Sequence, residues 1–327
     1  METGTVFLSE LERRTIYELE KDCNISLKEL GDKLGVSKRV AEYNMRSLIR
    51  KKAIVNFVAV IDVSKLGFIN HEVWMQTGHM GQEKREAFVQ YLVAHPRISW
   101  VASCGGKFDY VISIMAEDSV TFSEILKSIL AQNPGLVTGY SITISTKIRT
   151  YPRSYMLGKG KEEREGSLFF SGLPNKEKLD ATDLAILSVL SKNAKTTANE
   201  MSRIVGMSPG GVRMRIRSLE KSKVIEGYKA IFQPAVMGIQ NYEILFSSAG
   251  LGADNEAKVD KYCKSNPYIT LFIRCIGNFD MNLAADVRSQ EHLKDIINDL
   301  KGAVGSAVQG IEIVPLLRVH KFSLTIG

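Results

Sequence analysis

No stretch of this chain approaches the roughly 20 consecutive apolar residues that a membrane-spanning helix needs. Residues 1–8 lack the charged and apolar regions of a signal peptide, so a cytoplasmic location without a membrane partner is expected. Cysteine is scarce and scattered. Cys23, Cys104, Cys263 and Cys275 form no C-x-x-C and have no histidine pair nearby, which argues against both a disulfide framework and a zinc site. His71, His79, His95, His292 and His320 do not cluster either. There is no Walker loop, no G-x-S-x-G and no H-E-x-x-H, so the familiar catalytic signatures are missing. On this reading the chain is not an enzyme, and no catalytic residue, metal or cofactor is assigned.

What is present is an ordinary globular composition, 44% hydrophobic and 24% charged over 327 residues. That length has room for roughly two to four domains of about 100–150 residues. A net charge of +7 and a pI near 9.1 favour an anionic partner. Charge alone leaves nucleic acid and membrane surface both open.

Residues 208–219, SPGGVRMRIRSL, carry the clearest local signal. Ser208 is a good N-cap, Pro209 suits the first helical position, and Gly206 can end the preceding helix. Val212, Ile216 and Leu219 recur at spacings of four and three and make one buried stripe. The opposite side carries Gly210, Arg213, Met214 and Arg217. Its two guanidinium groups can contact phosphates or the acceptor edge of guanine, and the glycine lets the backbone come close. Arg215 falls nearer the buried edge and reads as structural, paired to an acid. Upstream, Thr197 and Glu200 form a T-x-x-E capping box on a short helix ending near Val205. An Arg-rich helix alone is usually a solvated face. Two short helices joined by a tight glycine-containing turn are instead the signature of a helix-turn-helix.

The same unit is written twice. Gly35 matches Gly206, Ser37 matches Ser208, Arg46 matches Arg217 and Ile54 matches Ile225, each pair 171 positions apart. Gly67 with Gly238, Pro96 with Pro267, Cys104 with Cys275 and Phe108-Asp109 with Phe279-Asp280 keep that register without a gap, which marks a duplication. Each half opens with a helical stretch; Ser9-x-x-Glu12 caps the first. Residues 26–34 follow with their own S-x-x-E box, then the turn Gly35-Val36 and a helix from Ser37 to about Arg50. Arg50, Lys51 and Lys52 are read as a solvated, fraying helix end rather than base readers. Residues 53–62 and 223–233 are extended and can form a wing or the hinge to the next domain.

Beyond each hinge the pattern runs strand, helix, strand, strand, helix, strand. In the first half these are roughly residues 71–78, 82–95, 98–104, 108–116, 120–132 and 137–148. That order is ferredoxin-like, an antiparallel sheet with two helices on one face. Val111, Ile112, Ile114 and Met115 do not alternate as a half-exposed strand should, so both faces are expected to be buried. The second face is expected to meet the equivalent sheet of the other half or of another chain. The fold class is therefore α+β, two tandem copies of a winged helix-turn-helix followed by a ferredoxin-like βαββαβ domain. The boundaries read as helix-turn-helix domains over residues 1–62 and 179–233, ferredoxin-like domains over 63–153 and 234–327, and a Gly- and charge-rich linker over 154–178. Leu168, Phe169 and Phe170 in that linker are expected to dock on a surface.

The run LDATDLAILSVL at residues 179–190, followed by Glu200, Gly206, Ser208, Val212, Arg215-Ile216, Leu219-Glu220, Val224-Ile225, Gly227-Tyr228 and Gly238, resembles the Lrp/AsnC family of leucine-responsive, feast/famine regulators. The resemblance is strong over residues 179–238 and looser over the rest of both halves. It implies double-stranded DNA as partner, assembly of copies through the ferredoxin-like sheets, and an amino acid or similar small molecule as effector. The family's G-x-Y-D turn, near its effector pocket, looks like Gly106, Lys107, Phe108 and Asp109 here, and like Gly277, Asn278, Phe279 and Asp280. A glycine that makes a tight turn and an aspartate that caps it explain the same residues, and both readings stay open.

Two departures from the family pattern matter. Ordinary members carry one unit per chain, whereas this chain carries two, so one chain is expected to mimic a dimer with its two sheets packed face to face. The readers also differ. Where the second half has Ser208, Gly210, Arg213, Met214 and Arg217, the first has Ser37, Arg39, Glu42, Tyr43 and Arg46, with Lys38 adding charge at the helix start and Asn44 in place of Arg215. A sequence-specific regulator that reads two different half-sites is the leading expectation. Sirohaem decarboxylases resemble the same two-domain architecture as paired non-identical subunits and supply one alternative. A metabolite-sensing or architectural protein whose first helix-turn-helix no longer reads DNA is the other, motivated by Glu42.

Overall fold

The computed structural model describes residues 6–79, 81–158, 164, 169–170, 175–248, 253–305 and 308–322. Each half begins with three helices, α1 (Glu10–Lys21), α2 (Leu27–Leu34) and α3 (Lys38–Arg50) in the first, α6 (Ala181–Lys192), α7 (Ala198–Val205) and α8 (Pro209–Lys221) in the second. Local hydrogen bonding sets their starts. Ser9 with Glu12, Ser26 with Glu29 and Thr197 with Glu200 form reciprocal capping boxes, as their spacing predicts. Gly35 and Gly206 end α2 and α7 in the left-handed conformation, at φ of 71° and 65°, so the chain turns sharply into α3 and α8.

The extended segments after α3 and α8 are strands β1 (Ile54–Ile61) and β7 (Ile225–Phe232), and they pair with each other antiparallel. The register sets Val58 opposite Lys229, its own counterpart 171 positions on, so an approximate two-fold axis passes through this pair. Bonds flanking the ribbon occur twice. Asp62 donates its N–H to Val224 O and Gln233 to Ala53 O; Cys23 donates to Tyr228 O and Ala194 to Phe57 O. One apolar core runs through both three-helix units, with Ile16, Leu19, Leu30 and Leu48 on one side, Ile186, Leu190, Val212 and Leu219 on the other, and Phe57, Tyr228 and Phe232 bridging them. Burying a common core couples the two units far more tightly than a flexible linker would.

The two βαββαβ modules follow in the expected order. The first comprises β2 (Ile69–Thr77), α4 (Gln82–Ala94), β3 (Ile98–Cys104), β4 (Tyr110–Ala116), α5 (Ser119–Gln132) and β5 (Val137–Thr150). The second comprises β8 (Gln240–Ser248), α9 (Ala253–Ser265), β9 (Ile269–Gly277), β10 (Met281–Val287), α10 (Gln290–Val304) and β11 (Val308–Phe322). Helices cover the outer face of each sheet over Val73, Phe88, Ile112, Phe122 and Ile129 in one half and over Ile244, Val259, Phe272, Leu283 and Ile296 in the other.

The sheets do not pack as two separate stacked layers, contrary to the face-to-face expectation. They join edge to edge, β5 to β9 and β11 to β3, and with β2 also paired to β5 the ring β2-β4-β3-β11-β8-β10-β9-β5 closes. Closure gives every edge strand of both modules a partner, which separate sheets would leave with unmet backbone groups. It also explains the missing alternation in β4, whose residues are all buried. Val111 points into the barrel while Ile112 and Ile114 face the helices.

The connection after β5 is tied down by a buried ion cluster. Arg153 bonds Glu20 of α1 through a guanidinium nitrogen and its backbone N–H, and donates through Nε to Asp286 Oδ2 of β10 at 2.5 Å. Tyr155 and Asn241 also donate to Asp286. Phe169–Phe170 form β6 and pair with β5 beyond the point where β2 leaves it, so this part of the linker docks through its backbone; Leu168 lies outside the described residues. No helix among the described residues is long and apolar enough to cross a membrane. Arg153→Ala would leave two buried carboxylates without their cation, and an expected loss of about 3–5 kcal/mol in urea-induced unfolding checks the cluster.

Candidate nucleic-acid interface and ligand pockets

The recognition-type helices α3 and α8 each bury one stripe and expose another. In α8, Val212 and Leu219 are buried and Ile216 is partly so, while Gly210, Arg213, Met214 and Arg217 lie at the surface, Met214 with 69% of its area accessible. Ser208 caps the helix by accepting from Gly211 N. Arg215 is held away from the exposed stripe by Asp180 and Asp183 of α6, at 2.6 and 3.0 Å. That is the acid pairing its position implied.

The first half builds the same face from different groups. Ser37 caps α3 through Val40 N, and Lys38, Arg39, Tyr43 and Arg46 are exposed. Glu42 does not stand alone on this face: it accepts from Arg46 at 2.6 Å, one helical turn away. Asn44 is buried and donates to Val40 O, so it cannot anchor α3 to α1 as Arg215 anchors α8 to α6. That task falls to Lys51 and Ser47, both bonded to Glu12. Within the basic run, Lys51 is thus an internal tie rather than a frayed charge, and Arg50 sits over the Tyr43 ring.

The glycine turns close one end of the barrel. Phe108 and Phe279 meet edge to face at 6.5 Å among Trp74, Leu245 and Val314. Asp109 accepts from both the N–H and the hydroxyl of Thr77, at 2.7 and 2.9 Å, which pins the turn to β2. Gly106 takes a φ of 81°, and a Cβ at Gly277 would collide with the Ile142 carbonyl across the β5–β9 seam. Asp280 holds the corresponding place through Cys275 N and its own N–H to Phe246 O. Beside the first turn is a cleft of about 440 Å³ that includes Thr77, Arg85, Ser103, Asp109 and Tyr110.

The opposite end of the barrel is hollow. A cavity of about 280 Å³ lies between the strands and β1, lined by apolar groups such as Ile61, Trp100, Ile148, Leu271 and Ile273, and by Asn70, Glu72, Ser113, Glu243 and Asn282. Glu72 and Glu243 occupy equivalent positions in β2 and β8 and are both buried. Burial pushes the Glu72 carboxyl up to about 7, against hydrogen bonds from Thr143 and Asn282. Burial and then the Glu72 charge push Glu243 up to about 8, with Asn282 opposing. No catalytic or ligand-binding motif in the sequence includes this pair. The visible signal is a glutamate repeated 171 positions apart directly before an apolar run, Val73-Trp74-Met75 in one half and Ile244-Leu245-Phe246 in the other.

Two recognition-type helices on one core, set beside a closed ferredoxin-like barrel with internal space, define a winged helix-turn-helix protein joined to a ligand-binding layer. Comparison with known proteins narrows the class. Residues 179–226 match the model for winged helix-turn-helix DNA-binding, and residues 73–152 match that for the Lrp/AsnC ligand binding domain. The HTH-type transcriptional regulator LrpA of Pyrococcus abyssi is 40% identical over 143 residues, which are 43% of this chain and 99% of the relative. The HTH-type transcriptional regulator FL11 of Pyrococcus furiosus is 28% identical over 145 residues, 44% of this chain and 92% of that one. The chain belongs to the Lrp/AsnC family of transcriptional regulators. Almost all of each relative aligns with less than half of this chain, which is compatible with two units in one polypeptide. The siroheme decarboxylase NirDL, solved with an iron-uroporphyrin III analogue, shares the fold over 96% of this chain and 93% of its own, with a TM-score of 0.62 at 11% identity.

The carboxyl pair gives a pH signature. Both folded-state values lie above the ordinary carboxyl value, so the pair's contribution to stability is complete below about pH 4.5 and is lost as pH rises through 7 to 8. The double variant Glu72→Gln/Glu243→Gln removes that loss. It is expected to exceed the parent in stability at pH 9 by on the order of 2 kcal/mol, and to show no gain at pH 5, in urea titrations at the two pH values.

Proposed function

We propose that this protein is a sequence-specific DNA-binding transcriptional regulator in which one chain supplies the pair of readers that two copies of a single-unit relative would supply. The observation that carries this reading is the β1–β7 ribbon, which holds α3 and α8 on a shared core with their polar faces exposed. Lys38, Arg39, Tyr43 and Arg46 serve as readers on α3. Gly210, Arg213, Met214 and Arg217 serve on α8, and the Ser37 and Ser208 caps place the two helix starts. Phosphate contacts supply salt-dependent affinity, and the side chains nearer the bases supply preference. Because the two faces differ, the preferred operator is lopsided. Tyr140 on β5, Ile276 on β9 and Leu317 and Val319 on β11 are exposed apolar residues, and further association of copies falls to these parts of the sheets.

The effector on this reading is an amino acid or similar zwitterion. The cleft beside the first glycine turn supports it, because Arg85 and Asp109 line that cleft and offer opposite charges to a carboxylate and an ammonium group. Gly106 and Phe108 shape the turn, as Gly277, Phe279 and Asp280 do in the second half. At the position of Arg85 the second half has Glu256, so the zwitterion site belongs to the first half.

Selection of bound DNA from a randomised pool, at two salt concentrations, tests the reading. An enriched motif with unequal half-sites is expected; a motif with perfect two-fold symmetry refutes unequal readers, and binding that vanishes with salt and enriches nothing refutes sequence recognition. On the selected DNA, Glu42→Gln frees Arg46 and removes a charge that repels phosphate, and about a three- to tenfold gain in affinity at low salt is expected. Unchanged affinity would instead mean that α3 does not touch DNA. The full-length fold likeness to a sirohaem decarboxylase favours a second reading, a tetrapyrrole enzyme on the same architecture. Saturable binding of sirohaem, followed by its visible absorbance, together with no enriched DNA, would favour that reading over the first.

A further inference from the structure

The hollow end of the barrel is built around three buried acceptor groups, two of which have no hydrogen-bond partner. Glu243 Oε2 and Asn282 Oδ1 are buried, with no hydrogen-bond partner, in residues only 3% and 2% exposed. Glu72 is as deeply buried, and its carboxyl is met by the Thr143 hydroxyl, at 3.4 Å, and by the Asn282 amide, with no cation beside it. An unpaired acceptor in an apolar interior costs stability, and two carboxylates sharing one dry space cannot both ionise cheaply. Among the described residues, no arginine or lysine lines the cavity to neutralise this pair. An eight-stranded barrel is wide enough either to be filled by its side chains or to hold one small ligand, and here only one end is filled.

We propose that this cavity is a binding site for a small primary amine that carries no carboxylate, its ammonium group held by Glu72, Glu243 and Asn282 Oδ1. An ammonium has three N–H donors, which match the three acceptors, and its charge permits the glutamates to ionise in a dry site. The apolar lining of Ile61, Trp100, Ile148, Leu271 and Ile273 takes a hydrocarbon body. The volume, about 280 Å³, exceeds the roughly 150 Å³ that holds benzene in an engineered apolar cavity, so an amine of about five to nine carbons fits. A carboxylate would find no cation among the described lining residues and would meet two acids, which separates this site from the zwitterion cleft at Asp109. Asn282 is matched in the first half by Val111, so the three acceptors form one site and not a symmetric pair.

Residues Val58, Ala59, Val60 and Ile61 of β1 form part of the wall, and β1 is half of the ribbon that sets the two helix-turn-helix units against each other. Occupancy of the cavity therefore bears on the spacing of α3 and α8. This coupling rests on the DNA-binding reading, whereas the amine site itself does not.

Isothermal titration calorimetry of the full chain with 3-methylbutylamine, 3-methylbutan-1-ol and L-leucine tests the site, because the three share one hydrocarbon body. Saturable binding of the amine is expected, with the alcohol and L-leucine at least about tenfold weaker. Glu243→Gln should weaken the amine by a similar factor, and Glu72→Gln/Glu243→Gln should abolish its binding; circular dichroism confirms that each variant is folded. Equal binding of amine and alcohol overturns the proposal, as does binding that survives in the double variant. Stabilisation by MnCl2, lost in the double variant, in place of any amine binding also overturns it. On the selected operator the amine should shift DNA affinity about fivefold or more, and no shift overturns the coupling. Failure to enrich any DNA sinks the regulator reading but leaves the amine titration standing, so the two failures are distinguishable.

Discussion

Closure of the barrel through its two seams, β5 against β9 and β11 against β3, is the constraint on which the rest of the molecule depends. Edge strands left unpaired would expose a row of backbone donors and acceptors, and the two seams give the later part of β5 and of β11 a partner in the other module. Once the ring is closed, inward-facing residues such as Trp74, Val111, Leu245 and Val314 are removed from water. One end is filled by the aromatic side chains of the glycine turns with Trp74. The other end holds a cavity in which buried acids stand among apolar groups, and its wall includes β1 of the helix-turn-helix pair. The carboxyl values of Glu72 and Glu243, the unmet acceptor of Asn282 and the contact between ligand layer and DNA-binding layer all follow from that closure.

Fusing two units into one chain permits what a pair of identical chains does not, a change made on one side only. The halves share a frame, visible in bonds such as Asp62 to Val224 and Gln233 to Ala53, that repeat at the offset of the duplication. Within it they have diverged at positions that carry charge. Arg215 ties α8 to α6 where Asn44 instead bonds its own helix. Asp286 receives Arg153 in the second barrel half, while its counterpart in the first is Met115. Asn282 faces the cavity across from nothing equivalent, since its counterpart is Val111. In an identical dimer each change would be made twice, and a buried Arg153 cluster or a third acceptor would demand a second set of partners.

The fold likeness to a sirohaem decarboxylase and the sequence likeness to transcriptional regulators are not in conflict. They concern different levels of the molecule. A paired helix-turn-helix core over a closed ferredoxin-like barrel is a frame, and function is set by the side chains placed on it. Here those are exposed cationic faces on α3 and α8 and buried acids in the barrel.

Much of the architecture is legible in the sequence, because it rests on short-range physics. Capping boxes, left-handed glycines and apolar periodicity act over three to seven residues, so α1, α2, α7 and α8, the βαββαβ order and the pairing of Arg215 with an acid could all be read from spacing. The repeat at 171 positions was equally plain. The closed ring was not, because which edge meets which is decided by hydrogen bonds between strands far apart in sequence, and stacked sheets satisfy the same apolar pattern. The partner of Glu42, Arg46, lies one turn away at a spacing that the sequence shows. The Glu72–Glu243 pair needed the tertiary structure outright. A carboxylate's chemistry is set by how much water and which charges surround it, and only the closed barrel brings two residues 171 positions apart into one dry space.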